Sequence, residues 1–272
     1  MMLNNYVSMF KTSWRIFKKN KFVVNSMVVA ATAISLNSFD ANAQMPQGGQ
    51  YVHGKGDINS SGNLMNIDQH TRNGIVNWQR FSIGNGNTVN INNGAGATLN
   101  RVIGNDVSKI HGQLNATGSA YLINQNGVVV GPQGQVITGG NFVASTLDVS
   151  NGDYLNKGAT SFKGDGNHGN VLNLGKISTG GDAILLGKNV LNQGTIRAGG
   201  DALVGAGDEI LLTDRTSAGD RIYVQVADNS RVTNKGLVSG VNAELKAAGG
   251  NMYALAINNE GTVRARHIKN EG

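Results

Sequence analysis

Two stretches of this chain align on each other residue by residue. Asn173-Leu-Gly-Lys-Ile-Ser-Thr-Gly-Gly-Asp-Ala-Ile-Leu and Asn192-Gln-Gly-Thr-Ile-Arg-Ala-Gly-Gly-Asp-Ala-Leu-Val start 19 positions apart. A period near 20 residues marks a solenoid, in which each coil buries its apolar face on its neighbours. Both copies read as short strands around a Gly-Gly corner, with no helical periodicity, so the coil is one of a parallel β-helix. The triplet Asn-x-Gly recurs at Asn156, Asn173, Asn192, Asn234, Asn259 and Asn270. The step of 42 from Asn192 to Asn234 reads as two coils, and the step of 25 to Asn259 as one longer coil. Stacked at one corner, the amides of Asn173, Asn192, Asn234 and Asn259 can donate and accept along the axis as an internal ladder. The alternative is that Asn-x-Gly is simply a frequent turn in a glycine-rich chain. The matching Gly-Gly-Asp-Ala tails argue against it.

Composition agrees with many turns between short strands. Glycine is 39 of 272 residues while proline is 2, and no Gly-X-Y period runs through the chain. Only 15% of residues are charged, so the polar positions fall to Asn, Ser, Thr and Gly. Such side chains stack on copies of themselves without like-charge repulsion. The net charge of +6 is concentrated at the start, where Lys11, Arg15, Lys18, Lys19 and Lys21 stand against Asp40 alone. No basic run follows residue 43, which argues against nucleic acid as a partner. Cysteine is absent, so no disulfide framework supports the fold.

The first 43 residues read as an address. Lys18-Lys-Asn-Lys21 precedes an apolar run from Phe22 to Leu36, and Ala41-Asn42-Ala43 stands before Gln44. A basic segment, an apolar segment and a small-x-small site in that order make a secretory signal peptide, with cleavage expected between Ala43 and Gln44. The apolar run is shorter than the roughly 20 residues a membrane helix needs, and no other segment of the mature chain could span a bilayer.

From Gln44 to about Ser150 the expected strands are irregularly spaced: Ile75–Phe81, Thr88–Ile91, Thr98–Ile103, Ala120–Ile123 and Val128–Val130. Asn/Gly corners separate them, and Trp78 and Phe81 read as core or cap residues. Asp106–Ile110 could form one helical turn at most. The organisation expected is a signal peptide over 1–43, a first domain over 44–150 and a repeat region over 151–272 that continues past Gly272 in a longer protein.

Several segments carry a family resemblance: Val76-Asn-Trp-Gln-Arg-Phe-Ser-Ile83, Asn100-Arg-Val-Ile-Gly104, Ile110-His-Gly-Gln-Leu114, Tyr121-Leu-Ile-Asn-Gln-Asn-Gly-Val128 and Val143-Ala-Ser-Thr-Leu-Asp-Val-Ser150. In order and spacing, residues 51 to about 150 resemble the haemagglutination-activity, or secretion, domain of filamentous-haemagglutinin-like exoproteins of two-partner secretion systems. Residues 170–272, including Val204-Gly-Ala-Gly-Asp-Glu-Ile-Leu-Leu212, are similar to the β-helix that follows it in that family. The family motif Asn-Pro-Asn-Gly-Ile reads here as Asn124, Gln125, Asn126, Gly127 and Val128, without the proline that would pre-set φ. A second family motif, Asn-Pro-Asn-Leu, has no counterpart. The resemblance implies a cognate outer-membrane β-barrel transporter whose periplasmic domains read this region. It leaves open whether Asn124 and Asn126 touch that partner or shape the turn, and shaping is the favoured role.

Catalytic chemistry finds little support. The five histidines, at 53, 70, 111, 168 and 267, show no metal-ligand spacing, so no metal or other cofactor is expected. Gly164-Asp-Gly-Asn-His-Gly169 formally fits a dinucleotide fingerprint but lacks its strand-to-helix setting. Asp208 and Glu209, adjacent in a strand, should face opposite sides. Asp214, Arg215, Asp220 and Arg221 read as a solvated excursion from a coil. The fold expected is all-β, a right-handed parallel β-helix with an N-terminal cap and small extra-helical antiparallel strands. The function expected is a secreted, cell-surface exoprotein exported through the periplasm and outer membrane, folding outside and serving adhesion, with host surfaces or glycans as further partners. The other readings are the delivery region of a contact-dependent growth-inhibition toxin, a stand-alone surface β-helix and a carbohydrate-active enzyme.

Overall fold

Strands of this chain alternate buried and exposed residues on some faces and are buried throughout on others, and that difference builds the architecture. The structure, a computed structural model, describes residues 44–156, 158–166, 168–213, 221–226, 229–247 and 257–266. The expected signal peptide with Ala43, and Asp214, Arg215, Asp220, His267 and Asn270, lie outside the described residues.

The described chain winds as a right-handed parallel β-helix with three strands per coil. It starts with β1 (Gln50–His53), β2 (Gly56–Ser61), β3 (Leu64–Gln69) and β4 (Asn73–Trp78). Complete coils follow: β5 (Thr88–Asn92), β6 (Ala97–Val102) and β7 (Ser108–Ile110), then β8 (Gln113–Ala116), β9 (Ser119–Ile123) and β10 (Val128–Val130). The third coil opens with β11 (Gln135–Thr138) and β12 (Phe142–Ser145). It then leaves the stack as β13 (Asp148–Val149), α1 (Asn151–Leu155) and β14 (Thr160–Lys163), and returns at β15 (Val171–Asn173). The fourth is β16 (Lys176–Thr179), β17 (Ala183–Gly187) and β18 (Asn189–Asn192). The fifth opens with β19 (Thr195–Ala198) and β20 (Ala202–Ala206), leaves as β21 (Glu209–Leu212) and β22 (Ile222–Val226), and returns at β23 (Arg231–Asn234). Last come β24 (Leu237–Gly240), β25 (Ala243–Ala247), β26 (Ile257–Asn259) and β27 (Thr262–Ala265).

Stacking the coils makes three sheets. Sheet I holds β3, β5, β8, β11, β16, β19, β24 and β27, sheet II the strands from β4 to β25, and sheet III those from β7 to β26. At the N-terminal end, β2 pairs antiparallel with β3 and β1 antiparallel with β4, so the first coil is capped rather than left with open parallel edges. The inward rows form one continuous core, which includes Val89, Leu114, Val136, Ile177, Ile196 and Val238 of sheet I. Trp78 and Phe81 meet edge to face at 5.3 Å between centroids within it. The stack passes Ser150 without a break, since β10, β11 and β12 pair with β15, β16 and β17. The two excursions join outside the stack as one antiparallel sheet, β13-β14-β21-β22. With the apolar outer row of sheet II this sheet closes a second core.

Several expectations change. Asn192 pairs directly with Asn234, so the 42-residue step is one coil carrying an excursion, not two coils. Residues 64–145 are also regular in register: Asn66, Asn90 and Asn115 occupy one column at steps of 24 and 25. Asp106–Ile110 makes no helical turn, because Ser108–Ile110 is strand β7. The strand expected over Ile75–Phe81 ends at Trp78, and Phe81 turns into the core beyond it. A five-residue helix does occur, at Asn151–Leu155, with the Ser150 hydroxyl accepting from the Asp153 amide at 3.0 Å. Asn156 caps its C-terminal end and takes no place in the column of Asn173.

Candidate functional site: the Asn124 corner and the amide columns

The corner between β9 and β10 is fastened by one asparagine. Asn124 is fully buried. Its Nδ2 donates to the Asp106 carbonyl at 2.8 Å and to Ser108 Oγ at 2.9 Å. Its Oδ1 accepts from the Asn126 amide at 3.0 Å, a side-chain turn that asparagine forms two residues ahead. Asn126 Nδ2 reaches the Gly104 carbonyl at 2.8 Å while the residue stays exposed. Gly127 adopts φ of +134°, a value open to glycine, and its amide donates to the Asn124 carbonyl at 3.0 Å. The Gln125 carbonyl accepts from the Gly169 amide at 2.6 Å, tying the corner to the next coil. Val128 is buried and pairs with Ser108 and Val171. The five residues are thus brought together as one corner. Asn124 spends both ends of its amide on that corner, and the surface there is left to Gln125 and Asn126.

Asn173, Asn192, Asn234 and Asn259 lie in one column of sheet III. Asn173 Nδ2 donates to Asn192 Oδ1, Asn192 to Asn234 and Asn234 to Asn259, each at 2.8 Å. The glycine of each triplet is required by packing: a Cβ on Gly194, Gly236 or Gly261 would overlap the backbone carbonyl of the preceding coil. Upstream, the same column holds Ile110 and Val130, so its chemistry switches from apolar to amide at Asn173. Gln44, the other expected site residue, accepts from the Gly84 amide at 2.7 Å through its carbonyl.

Two further polar columns escaped the sequence reading. Asn115 donates to Asn90 at 2.9 Å and Asn90 to Asn66 at 3.0 Å on the outer face of sheet I. At the corner leading into sheet II, each side-chain oxygen accepts the backbone amide of the next coil. Ser119 Oγ takes Asn141 at 2.9 Å, Asn141 Oδ1 takes Asp182 and Asp182 Oδ1 takes Asp201, both at 2.8 Å, and Asp201 Oδ1 takes Asn242 at 3.2 Å. The Gly-Gly-Asp-Ala tails were the legible trace of this column.

Stacking Asp182 on Asp201 places two carboxylates on adjacent coils. Arg221 resolves their repulsion, with Nη1 at 2.7 Å from Asp182 and 3.2 Å from Asp201. Burial disfavours the charge on Arg221, but the hydrogen bonds and charges of Asp182 and Asp201 more than reverse that and raise its pKa. Arg221 is therefore no part of a solvated excursion. Asp208 pairs with Lys188 and Glu209 with Lys163, each at 2.7 Å. The His111 ring lies below its ordinary pKa through burial and the nearby charge of Lys109. Among the described residues, no group of three or more His, Cys, Asp or Glu is arranged to hold a metal ion. No helix there is long and apolar enough to cross a membrane.

Comparison with known proteins agrees with this geometry. The chain matches the family model of the TPS (two-partner secretion) secretion domain over residues 42–272. It is 32% identical over 243 residues to a heme/hemopexin-binding protein of Haemophilus influenzae, covering 85% of this chain and 26% of that protein. A second protein of that description from Haemophilus influenzae is 32% identical over 132 residues, 47% of this chain and 14% of the relative. The chain thus spans about a quarter or less of the curated relatives it matches. Its fold superposes on the crystal structure of the HMW1 secretion domain from Haemophilus influenzae with a TM-score of 0.66 and 27% identity, covering 82% of this chain and 60% of that one. With the family model spanning the whole described stack, the chain belongs to the two-partner secretion domain family.

Proposed function

We propose that this chain is the export-directing region of a longer exoprotein. Its signal peptide is removed between Ala43 and Gln44. A cognate outer-membrane β-barrel transporter then recognises the chain through its periplasmic domains and threads it out unfolded. Outside the cell it folds as the β-helix and templates the coils that follow. The observation that carries this is the pairing scheme: in the stack, each coil's strands bond to the coils before and after, so folding can advance from one end as the chain emerges. In this proposal Asn124 shapes the corner, and Gln125 and Asn126 offer the transporter its surface. The amide columns at Asn173, Asn192, Asn234 and Asn259 set coil register. The test is export of the chain with its own signal, in cells with and without the transporter. Accumulation outside only with the transporter is expected, and equal export in both overturns the proposal.

The exported whole is proposed to act as an adhesin on host surfaces or glycans. Haem or haemopexin capture is the second reading, favoured by the two Haemophilus relatives. Binding of the full-length protein to host cells, against binding to haem-loaded haemopexin, separates the two.

A further inference from the structure

The outer sheet β13-β14-β21-β22 is assembled from parts far apart in the chain. Ser161 of β14 and Glu209 of β21 are 48 residues apart, and Lys163 pairs with Glu209 across the strands at 2.7 Å. Beneath it the outer row of sheet II is apolar through six successive strands, from Ile75 in β4 to Leu203 in β20. One strand further, at β25, that row becomes charged: Glu244 pairs with Leu203 in register. The apolar row thus ends where the outer sheet ends.

Polar staples fix both ends of this sheet. At one end, Arg101 of β6 holds Asp148 at 2.9 Å, Asn151 at 2.7 Å and the Val149 carbonyl at 2.5 Å, and Tyr154 donates to the Gly74 carbonyl at 3.2 Å. At the other end, Arg221 grips Asp182 and Asp201, and its own amide donates to Glu244 at 3.2 Å. In a plain solenoid each coil feels only its neighbours. Here one element touches the coil of Gly74 and the coil of Glu244 together.

We infer that the outer sheet is a strap that closes last and couples the coils from β4 to β25 into one cooperative unit. Strands β13 and β14 pair with each other, but β14 finds its second partner only when β21 is present, so coils stack first with the outer row of sheet II incompletely covered. Docking of β21 and β22 then covers that row and locks the stack. The export proposal supplies the biological setting, since ordered emergence would separate the two phases in time. The physics does not need it.

The test is refolding of the full chain from urea with an apolar-surface dye, together with amide exchange read by mass spectrometry. In the wild type, dye fluorescence should rise during stacking and fall on closure, and β6 and β20 should lose protection at one urea concentration. Ile210→Asp removes the centre of the docked face, and Arg221→Ala removes one staple while leaving the inner core whole. In either variant that folds, dye binding should persist and the two losses of protection should separate by about 0.5 M urea or more. Coincident loss in Arg221→Ala, or separate losses in the wild type, overturns the proposal. Refolding needs no transporter, so its failure leaves the export proposal standing, and the reverse also holds.

Discussion

Sheets I and II are made by the same coils and bury similar inward rows, yet their outer faces differ. Sheet I alternates: Val136, Ile177 and Ile196 are buried while Ile137, Ser178 and Arg197 are exposed. Strands β12, β17 and β20 of sheet II are buried at every position. The run Ala183-Ile-Leu-Leu-Gly187 is continuous because both of its faces are covered, one by the core and one by the strap. Within one solenoid, a lapse in alternation therefore marks the face against which something else docks.

The largest expected effect breaks that contrast directly. Ile184→Asp places a carboxylate in the apolar layer between sheet II and the strap and should destabilise the fold by about 3 kcal/mol or more. Ser178→Asp, one strand earlier in the chain on the bare face, should change stability by no more than about 0.5 kcal/mol. Urea midpoints of the two variants measure the difference. Similar losses in both would show that the outer faces are energetically alike.

A smaller effect compares the two asparagine columns. Asn192 is buried and shares hydrogen bonds with Asn173 and Asn234, so Asn192→Ala leaves the Asn173 donor unpaired and takes from Asn234 Oδ1 one of its two donors, the Gly236 amide remaining. A loss of roughly 2–3 kcal/mol is expected. Asn90→Ala opens a column on the solvent face of sheet I, where water replaces the amide, and should lose under about 1 kcal/mol. Equal urea midpoints for the two would mean that burial adds nothing to the inner column.

These columns also show what was legible in the sequence. The inner column could be read because a glycine two residues later marks the same close approach of backbones at each coil. The outer column of Asn66, Asn90 and Asn115 has no such companion, so nothing distinguished its members from ordinary polar residues. Coil count failed at Asn192–Asn234 because the excursion is about as long as a coil, and spacing alone cannot tell a second turn of the stack from a hairpin leaving it. The role of Arg221 is hidden in the sequence for a related reason. Its neighbours in sequence are polar, but its partners Asp182 and Asp201 are brought to it by coil stacking at separations of 39 and 20 residues. The Asn124 corner was legible as a turn, while the burial of Asn124 against the exposure of Asn126 depended on β7 lying beneath it.

The smallest effect uses tyrosines as reporters of cover. Tyr121 and Tyr154 meet edge to face at 5.2 Å under the strap, and burial raises the pKa of both phenols. Tyr51, in the N-terminal cap away from the strap, is pushed up to about 12 by burial and by Asp68 and Asp57. Unfolded tyrosines ionise near 10. Above that pH the unfolded chain has lost protons that the folded chain keeps, so stability falls as pH rises from about 10 towards the folded values. Ultraviolet titration of the phenols should show Tyr51 ionising near 12, with Tyr121 and Tyr154 silent until the fold opens. In Arg221→Ala the lost guanidinium charge by itself pushes Tyr121 further up, so Tyr154 is the cleaner reporter: a strap that has come away should return it towards its ordinary value and leave Tyr51 where it was. A shift of all three together would mean that the substitution loosened the whole stack, and that the two outer faces of the solenoid are not separable.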